Sequence, residues 1–361
     1  YKKIFKMSIF NIYKNKKVIV TGHTGFKGAW LTFCLLLMGA KVLGISRNII
    51  TSPSLFKTLG LQKKVKNKFL DIKNFNKVKK TFQNFKPDFV FHLAAQSLVK
   101  KSFEDPIDTF MTNSFGTMNI LHILNNLKKK CCAVIITSDK CYLNIEQKKG
   151  YKESDRLGGY DPYSASKASA EIIIKCYQKS YLQNNPNIYF AVARAGNVIG
   201  GGDWSENRIV PDVIRSLEKN NVIQIRNPSS TRPWQHVLEP LSGYILLAEK
   251  LHSEENDIFC SPFNFGPELE ANKSVLELVQ ECLKYWEGDY TIQNNNEKLH
   301  EAGKLNLVID KAHNILDWKP RWDFPKTIDI TINWYKNFTL KKKSPLESCL
   351  NDLSLYIDKN N

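Results

Sequence analysis

The sequence predicts an α/β fold in which a doubly wound parallel sheet carries a smaller α/β lobe beside it. Short β-branched runs alternate with helical stretches through the first half of the chain, as in parallel sheets whose strands are joined by crossover helices. A glycine-rich turn stands between the first of these runs and the first helical stretch. After Gly196 this regular alternation ends, and prolines separate shorter elements that fit a smaller, irregular lobe.

The individual elements follow from local sequence patterns. Strands are predicted from short runs rich in β-branched and aromatic residues: Lys17–Thr21, Lys41–Ser46, Lys68–Asp71, Asp88–Leu93, Ala133–Thr137 and Ile188–Arg194. Helices are predicted at Phe26–Met38, Thr109–Leu127, Pro162–Ser180 and Ile209–Lys219. Asp161 is the expected N-cap of the third helix, with Pro162 at its first position. Residues Gly200 to Trp204 should form a loop, and the polar tail from Lys341 should fray.

Composition narrows the class of protein. The 361 residues are 42% hydrophobic and 24% charged, as in a folded globular chain. The net charge of +17 comes from lysines spread along the whole chain, so we expect no nucleic-acid partner. The eight cysteines form no Cys-x-x-Cys pair, which predicts reduced thiols, a cytoplasmic location and no metal. We expect no membrane span, since the apolar run Ala29–Leu37 is too short, and no signal peptide in Tyr1–Lys17.

The glycine-rich turn Gly22–Gly28 predicts a dinucleotide site of the Rossmann type. Glycine is needed where a chain turns tightly and a pyrophosphate must approach bare backbone, and the following helix N-terminus faces the phosphate charge. A first, dinucleotide-binding domain is therefore expected over residues 8–195, with a segment near 233–262 returning to it. The smaller lobe is expected over residues 196–345 without that segment, and it would bind the substrate.

Two further groups predict chemistry at the carboxyl edge of the sheet, where doubly wound folds bind their ligands. Tyr163 and Lys167 lie four residues apart on one helix, so they share a face, and the ammonium is expected to lower the pKa of the phenol. Ser138, Asp139 and Lys140 follow the fifth strand and can supply a hydrogen-bond donor, an acid and a cation. On these three residues alone, a solvated turn is an equally good interpretation.

Together these motifs resemble the extended short-chain dehydrogenases/reductases that modify sugar nucleotides. Longer strings are similar to the CDP-glucose 4,6-dehydratases within that family: GHTGFKGAW at 22–30, PSLF at 53–56, HLAAQ at 92–96, TSDKCY at 137–142, GGYDPYS at 158–164, RAGNVIGGGDW at 194–204 and RPWQHV at 232–237. The resemblance covers most of the chain from about Lys17 to Ile330.

The resemblance implies a lyase with a self-contained redox cycle. NAD would accept hydride from the hexose 4-position of CDP-glucose, water would leave across the 5- and 6-positions, and hydride would return to the 6-position. Tyr163 would remove the hydroxyl proton and Lys167 would hold the nicotinamide ribose. Asp139 would be the acid to the leaving hydroxyl. Lys140 stands where dTDP-glucose dehydratases carry a glutamate base, so it either acts as a neutral base or orients Asp139.

The resemblance also implies the binding residues. The cofactor would contact Gly22, Thr24, Gly25, Phe26, Gly28, Asn48, Asp71, Ile72, Leu93, Ala94, Ala95, Gln96, Thr137, Tyr163 and Lys167. The substrate would contact Asn197, Arg208, Arg226, Arg232 and Gln235, and the arginines are expected to lack nearby acid partners. Asn48 stands where NAD enzymes usually carry an acid, and Arg47 could meet the extra phosphate of NADP, so NAD is favoured but NADP stays open.

Two other interpretations remain. A different nucleotide-sugar dehydratase or an epimerase would share the fold, although an epimerase has no need of Asp139 and Lys140 for water loss. A non-catalytic dinucleotide-binding protein would commonly lose the pair Tyr163 and Lys167, which is intact here. The family expectation for assembly is a homodimer or a higher homo-oligomer.

Overall fold

A computed structural model describes residues 12–147, 149–182, 185–293 and 305–358. Its centre is a seven-stranded sheet in which all paired strands run parallel. In chain order the strands of this sheet are β1 (Lys17–Thr21), β2 (Lys41–Ser46), β3 (Lys66–Phe69), β4 (Phe89–His92), β5 (Cys131–Ile136), β6 (Ile188–Ala195) and β11 (Pro262–Phe265). Their spatial order is β11-β6-β5-β4-β1-β2-β3. The strands after β1 are first added towards one edge and, from β4 onwards, towards the other, so the switch point of the sheet lies between β1 and β4. The predicted Rossmann-type fold class is confirmed.

Helices cover both faces of the sheet, and a buried apolar cluster lies on each side of it. The helices of the first half are α1 (Phe26–Leu37), α2 (Leu55–Thr58), α3 (Phe75–Phe85), α4 (Val99–Glu104), α5 (Pro106–Phe110), α6 (Gly116–Asn125) and α7 (Pro162–Ser180). The side chain of Asp161 caps α7 by accepting from the Ser164 N–H, as predicted. β4 and β5 are buried along their whole length, which explains why their sequences are continuous apolar runs.

Three predicted elements differ from the observed ones by more than one residue at an end or in continuity. The third strand lies at Lys66–Phe69 rather than Lys68–Asp71, because it is a polar edge strand with no apolar alternation to mark its register. β5 begins at Cys131, since buried cysteines behave as small hydrophobic residues. The long helix predicted at Thr109–Leu127 is divided by a π-helical segment, Met111–Phe115, between α5 and α6.

The second half of the chain adds short strands and longer helices. The strands are β7 (Val198–Ile199), β8 (Ile223–Ile225), β9 (Thr231–Pro233), β10 (Gln235–His236), β12 (Asn272–Ser274) and β13 (Tyr290–Ile292). The helices are α8 (Ile209–Glu218), α9 (Leu238–Ser253), α10 (Val275–Tyr285), α11 (Asp310–Leu316), α12 (Phe324–Thr339) and α13 (Pro345–Ile357). Between β10 and β11, α9 packs against β5 and β6, so the chain returns to the main sheet there. The predicted start of the first domain, at residue 8, lies outside the described residues. Residues 294–304, within the predicted smaller lobe, lie outside them as well.

The prediction that the tail frays is wrong. Residues from Pro345 form α13, which begins with a capping box of Ser344 and Glu347. Cys349, Leu353 and Tyr356 are buried on one face of this helix. Lys341, Lys342 and Lys343 precede the helix, and two of its polar residues, Ser348 and Asp352, are themselves buried.

A loop joins α1 to α12 across the molecule. The Gly201 carbonyl oxygen accepts from the Trp30 indole N–H at 2.9 Å. A Cβ on Gly201 would lie 2.0 Å from the Trp334 ring, so only glycine fits this position. The Tyr335 hydroxyl accepts from the Asp203 N–H at 2.8 Å and donates to the Asp203 carbonyl at 2.5 Å. The loop predicted at Gly200 to Trp204 is therefore firmly held.

Among the described residues, no helix combines the length and hydropathy that crossing a membrane would require. All eight cysteines are free. No cluster of side chains in the described ranges has the composition of a metal site.

Candidate active site

The glycine-rich turn leaves bare backbone between β1 and α1. Gly22 has a φ of +75°, and a Cβ there would lie 2.8 Å from the Ala94 nitrogen. A Cβ on Gly28 would lie 2.1 Å from the Gly22 carbonyl oxygen, so α1 packs directly on the turn. Gly25 is the N-cap of this 12-residue helix and makes no side-chain cap bond, which leaves N–H groups facing outward. These groups suit an anionic ligand such as a pyrophosphate.

Below the turn, a directed chain of hydrogen bonds joins three elements. The Thr117 hydroxyl donates to the Asn113 carbonyl at 2.7 Å and therefore accepts from His92 Nε2 at 3.0 Å. His92 Nδ1 then accepts from the Thr21 hydroxyl at 2.7 Å. The Thr21 oxygen in turn accepts from the Ala94 N–H at 3.1 Å. Burial lowers the pKa of His92 to about 3, so this ring is neutral and the direction of the chain is fixed.

The backbone after β4 is held by the π-helical segment. The Asn113 side chain accepts from the Gln96 N–H at 2.8 Å and donates to the Gln96 carbonyl at 2.9 Å. The same amide donates to the Ser166 hydroxyl of α7 at 2.9 Å. The Leu93–Gln96 segment is thereby tied to the helix that carries Tyr163 and Lys167.

Charged side chains lie around the turn that follows β2. Thr24 donates its hydroxyl to the Asn48 carbonyl at 2.7 Å, which fixes the turn after β2. Arg47 donates to Asp108 at 3.1 Å and lies 3.9 Å from Asp71. Two carboxylates therefore flank Arg47 and compete for the guanidinium that a further phosphate would require.

The predicted cofactor-binding residues lie together. They follow the carboxyl ends of β1 to β5 or lie on α7: Gly22, Thr24, Gly25, Phe26, Gly28, Asn48, Asp71, Ile72, Leu93, Ala94, Ala95, Gln96, Thr137, Tyr163 and Lys167. The bare turn and its outward N–H groups fit a dinucleotide.

Tyr163 and Lys167 are both buried on the first turns of α7. Burial raises the pKa of Tyr163 to about 12, although a hydrogen bond with Ser138 acts in the opposite direction. Burial also lowers the pKa of Lys167 to about 8. The expected lowering of the tyrosine pKa by Lys167 is therefore not found, because desolvation of the phenolate outweighs it.

The strand-ending trio lies beside this pair. The Ser138 hydroxyl donates to Asp139 at 2.8 Å and also hydrogen-bonds Tyr163, so it stands between the phenol and the carboxyl group. Burial raises the pKa of Asp139 above its usual range, against the pull of Lys140. A Cβ on Gly196 would lie 3.1 Å from an Asp139 carboxyl oxygen, so the glycine allows this close approach. Lys140 is half-buried and its N–H donates to the Ser138 oxygen at 3.2 Å.

The predicted substrate-binding residues differ widely in how exposed they are. Asn197 is exposed just beyond β6, and Gln235 is fully buried on β10. The Gln235 side chain donates to the Phe265 carbonyl at 3.3 Å, while its own amide oxygen is buried without a hydrogen-bond partner. Such an oxygen can accept from a ligand. Arg232 is 9% exposed on β9.

The expectation that the arginines lack acid partners is wrong. Arg208 forms an ion pair with Asp203 at 3.1 Å. Arg226 lies 3.9 Å from Asp212 and is 57% exposed. The partners were missed because Asp203 is five residues away in a loop and Asp212 is far from Arg226 in the chain. Arg208 still faces the site, since its charge acts on Tyr163.

Several residues at the site were not identified from the sequence. Lys27 stands inside the glycine-rich turn, and burial lowers its pKa to about 8 beside the charges of Arg208, Asp139 and Lys167. Glu171 and Arg194 form a buried ion pair behind Lys167. The spacing of Lys167 and Glu171, four residues apart on a predicted helix, was the available signal.

Comparison with known proteins agrees with this geometry. The sequence profile of the family described as GDP-mannose 4,6 dehydratase matches residues 19–331. CDP-glucose 4,6-dehydratase of Salmonella typhimurium is 44% identical over 333 residues, covering 90% of this chain and 92% of that protein. The mouse dTDP-D-glucose 4,6-dehydratase is 25% identical, with 90% of each chain covered.

Solved structures share the fold at lower identity. UDP-glucuronic acid 4-epimerase from Bacillus cereus, in complex with UDP-glucuronic acid and NAD, superposes with a TM-score of 0.75 at 20% identity, covering 89% of this chain and 99% of that one. The dTDP-glucose 4,6-dehydratase from Bacillus anthracis, in complex with NAD, gives a TM-score of 0.73 at 19% identity, covering 89% and 97%.

The fold and the site thus define a Rossmann-type protein of the sugar-nucleotide-modifying class. The chain belongs to the GDP-mannose 4,6-dehydratase family.

Proposed function

We propose that this protein is an NAD-dependent lyase that converts CDP-glucose to CDP-4-keto-6-deoxyglucose. The observation that carries the proposal is the contact of Tyr163, Ser138 and Asp139 at one sheet edge, with Lys140 following them. An alcohol oxidation needs the first of these groups, and the loss of water needs an acid and a base as well. The 44% identical Salmonella protein carries the corresponding name.

NAD, when bound, supplies the hydride acceptor at the sugar 4-position and returns the hydride at the 6-position. The glycine-rich turn and the N-terminus of α1 would hold its pyrophosphate, and Asn48 and Asp71 would lie along its adenosine half. NAD is favoured over NADP, because Asp108 and Asp71 already pair with the Arg47 guanidinium that the extra phosphate of NADP would need. Lys167 would hold the nicotinamide ribose from below.

The chain's own residues divide the proton transfers. Tyr163, once ionised to the phenolate, would take the proton from the 4-hydroxyl. Asp139 would protonate the departing 6-hydroxyl, and its raised pKa keeps a proton available for that step. Lys140 would remove the proton from the 5-position, made acidic by the neighbouring ketone. Ser138 would keep Tyr163 and Asp139 in register through its shared hydroxyl.

The nucleotide would lie against the second half of the chain. Arg232 and Arg208 would bind the pyrophosphate of CDP-glucose, since guanidinium forks match phosphate oxygens. Arg226, Asn197 and the orphaned Gln235 oxygen would complete the contacts. This lobe, over residues 196–345 without the returning segment near 233–262, is the proposed substrate-binding unit beside the NAD-binding unit.

A direct test is to incubate the purified protein with NAD and with CDP-, dTDP-, GDP- and UDP-hexoses in parallel. Formation of a 4-keto product from CDP-glucose well above the others is the expected result. A 4-keto product mainly from another nucleotide would refute the substrate assignment. Epimerised sugar without water loss would refute the reaction.

A homodimer is proposed from an exposed apolar face on α5, the π-helical segment and α7. Ile107, Met111 and Phe115 recur at helical spacing and are 76%, 40% and 46% exposed. Ile172 is 60% exposed on α7, which packs against α5 and the π-helical segment. Such a face is typical of a subunit interface.

Light scattering should report a dimer. Ile107→Glu should dissociate it, whereas Ile258→Glu, at an exposed position near the end of α9, should not. A monomeric unmodified protein would contradict the assignment.

A cytoplasmic location is also proposed. The eight free cysteines, most of them buried, suit a reducing compartment. Cell fractionation tests this assignment directly.

A further inference from the structure

A buried ion pair lies one helical turn behind Lys167. Glu171 and Arg194 are each 3% exposed at the side chain. The guanidinium binds the carboxylate through two donors, Nε to Oε1 at 2.8 Å and one terminal nitrogen to Oε2 at 2.8 Å. Thr137 adds a third hydrogen bond, donating to Oε1 at 2.5 Å. The carboxylate is therefore held by β5, by β6 and by its own helix.

The remaining donors of Arg194 reach the segment that follows the catalytic trio. Its other terminal nitrogen donates to the Tyr142 hydroxyl at 2.8 Å and to the Glu153 carbonyl at 3.0 Å. The Tyr142 hydroxyl donates onward to Asn264 of β11 at 2.7 Å. The network therefore connects α7, which carries Tyr163 and Lys167, to the chain on both sides of Asp139.

Stability alone gives a weak account of this arrangement. A buried ion pair costs desolvation, and well-packed apolar residues are often as stable in its place. What the network does provide is a carboxylate held in a fixed position one helical turn from Lys167, with the opposite charge of Arg194 paired to it. Lysine and glutamate four residues apart on a helix lie on one face, and Glu171 acts on the charge of Lys167.

We propose that Glu171, oriented by Arg194 and Thr137, is a positioning residue that keeps the buried Lys167 charged and aligned toward the nicotinamide ribose. The inference rests on the proposed NAD-dependent function. The other groups that face Lys167 carry little compensating charge: Cys141 is a buried thiol, His92 is neutral, and Lys27 repels it. Glu171 is thus the anion that the structure places there.

The sign of the expected effect follows from charge. The pKa of Lys167 is about 8, because burial lowers it while the Glu171 carboxylate acts in the opposite direction. Burial raises the pKa of Cys141 well above its usual range, so this thiol stays neutral and adds no charge. Replacing Glu171 by glutamine removes a negative charge and leaves Arg194 uncompensated, so the pKa of Lys167 should fall further. The charged form, fully present at low pH, is then lost at a lower pH than in the unmodified protein.

The test is NAD binding by titration calorimetry between about pH 6 and about pH 9, a range that brackets the Lys167 pKa. Glu171→Gln should bind NAD almost normally at the acid end and about tenfold more weakly at the alkaline end, as expected for a shift of about one pKa unit. Glu171→Asp keeps the charge and should restore the unmodified pH profile. Glu239→Gln, at another buried carboxylate, serves as the matched control for lost stability, and its profile should not move.

If Glu171→Gln fails to fold, the pair can be replaced together by Glu171→Met and Arg194→Met, since an apolar pair is expected to fold. The alkaline weakening should then appear in the same direction but be smaller than about tenfold, because the double change removes the Arg194 charge together with the carboxylate. Equal weakening at every pH, as for a general loss of stability, would overturn the proposal. Failure of the unmodified protein to bind NAD or to make a 4-keto sugar would instead refute the proposed function.

Discussion

Burial acts on three side chains of the site in the same chemical direction, because each is driven toward its neutral form. The pKa of Asp139 is raised, that of Tyr163 is raised to about 12, and that of Lys167 is lowered to about 8. Desolvation penalises charge whatever its sign. A site of this kind holds protons on its acids until a ligand brings compensating charge.

Tyr163 is the first residue to test. Tyr163→Phe should reduce turnover by about 10²-fold or more, the usual worth of a positioned proton-transfer group, and leave NAD affinity within about twofold. Steady-state kinetics and calorimetry measure the two quantities. The matched control is Tyr160→Phe, three residues earlier and 84% exposed, which should behave as the unmodified protein does. Near-normal turnover of Tyr163→Phe would remove it from the mechanism.

Lys140 offers a choice between two roles. If it is the base at the 5-position, Lys140→Met should still oxidise the 4-position, retain reduced cofactor detectable by absorbance and release no deoxy product. Solvent deuterium should then fail to enter the 5-position, a loss of about 10²-fold or more. Mass spectrometry of the recovered sugar measures this. The control is Lys152→Met, at an exposed position. Rapid deuterium entry would assign Lys140 to orienting Asp139 instead.

At the scale of elements, most of the sheet could be predicted from the sequence, because buried parallel strands are continuous apolar runs with helices between them. β1 and β2 were predicted with the observed bounds. β11 was not predicted as a strand, since it is short, begins with Pro262 and lies at the sheet edge. The π-helical segment was missed because the partners of its Asn113, Gln96 after β4 and Ser166 of α7, are distant in the chain.

One of the contacts that hold the C-terminal helix α13 is a buried acceptor on α9. Glu239 of α9 accepts from the Tyr356 hydroxyl at 2.7 Å and from the Arg321 and Trp322 N–H groups. Tyr356→Phe should lower the free energy of unfolding by about 1–3 kcal/mol, because a buried acceptor loses one donor. Urea unfolding measures the change. Tyr290→Phe, at a 36% exposed position, should stay within about 0.5 kcal/mol. An equal loss in both variants would contradict the assigned contact.

At the scale of the whole molecule, the topology assembles the site from segments that are far apart in sequence. Ligands of doubly wound folds bind at the carboxyl ends of the parallel strands. From the sequence alone, this rule could place the turn at Gly22, the trio and α7 at the same edge of the sheet. It could not pair Gly196 with Asp139, or Glu171 with Arg194, because those contacts depend on side-chain directions between neighbouring strands. The proposed catalytic and binding roles remain predictions that the variants described above can test.

Function and global stability are opposed at Asp139. Its folded-state pKa lies above the unfolded value, so ionisation destabilises the native protein at neutral pH, and this cost disappears as pH falls below about 4. Asp139→Asn should therefore unfold at higher urea than the unmodified protein at about pH 7, by a margin that shrinks toward about pH 4, while activity is lost. Asp289→Asn, at an exposed position, should show no such margin. A destabilised Asp139→Asn at neutral pH would contradict the pKa direction.

The clamped loop between α1 and α12 has a consequence for exchanging parts between relatives. Gly201 accepts from Trp30 of the nucleotide-binding half and leaves room for Trp334 of the C-terminal half. A chimera that joined this first half to another enzyme's second half would bring together a glycine loop and a tryptophan that were not selected to fit each other. A chimera that is meant to change specificity should therefore take three parts from the same parent: Trp30, the Gly200–Trp204 loop and Trp334.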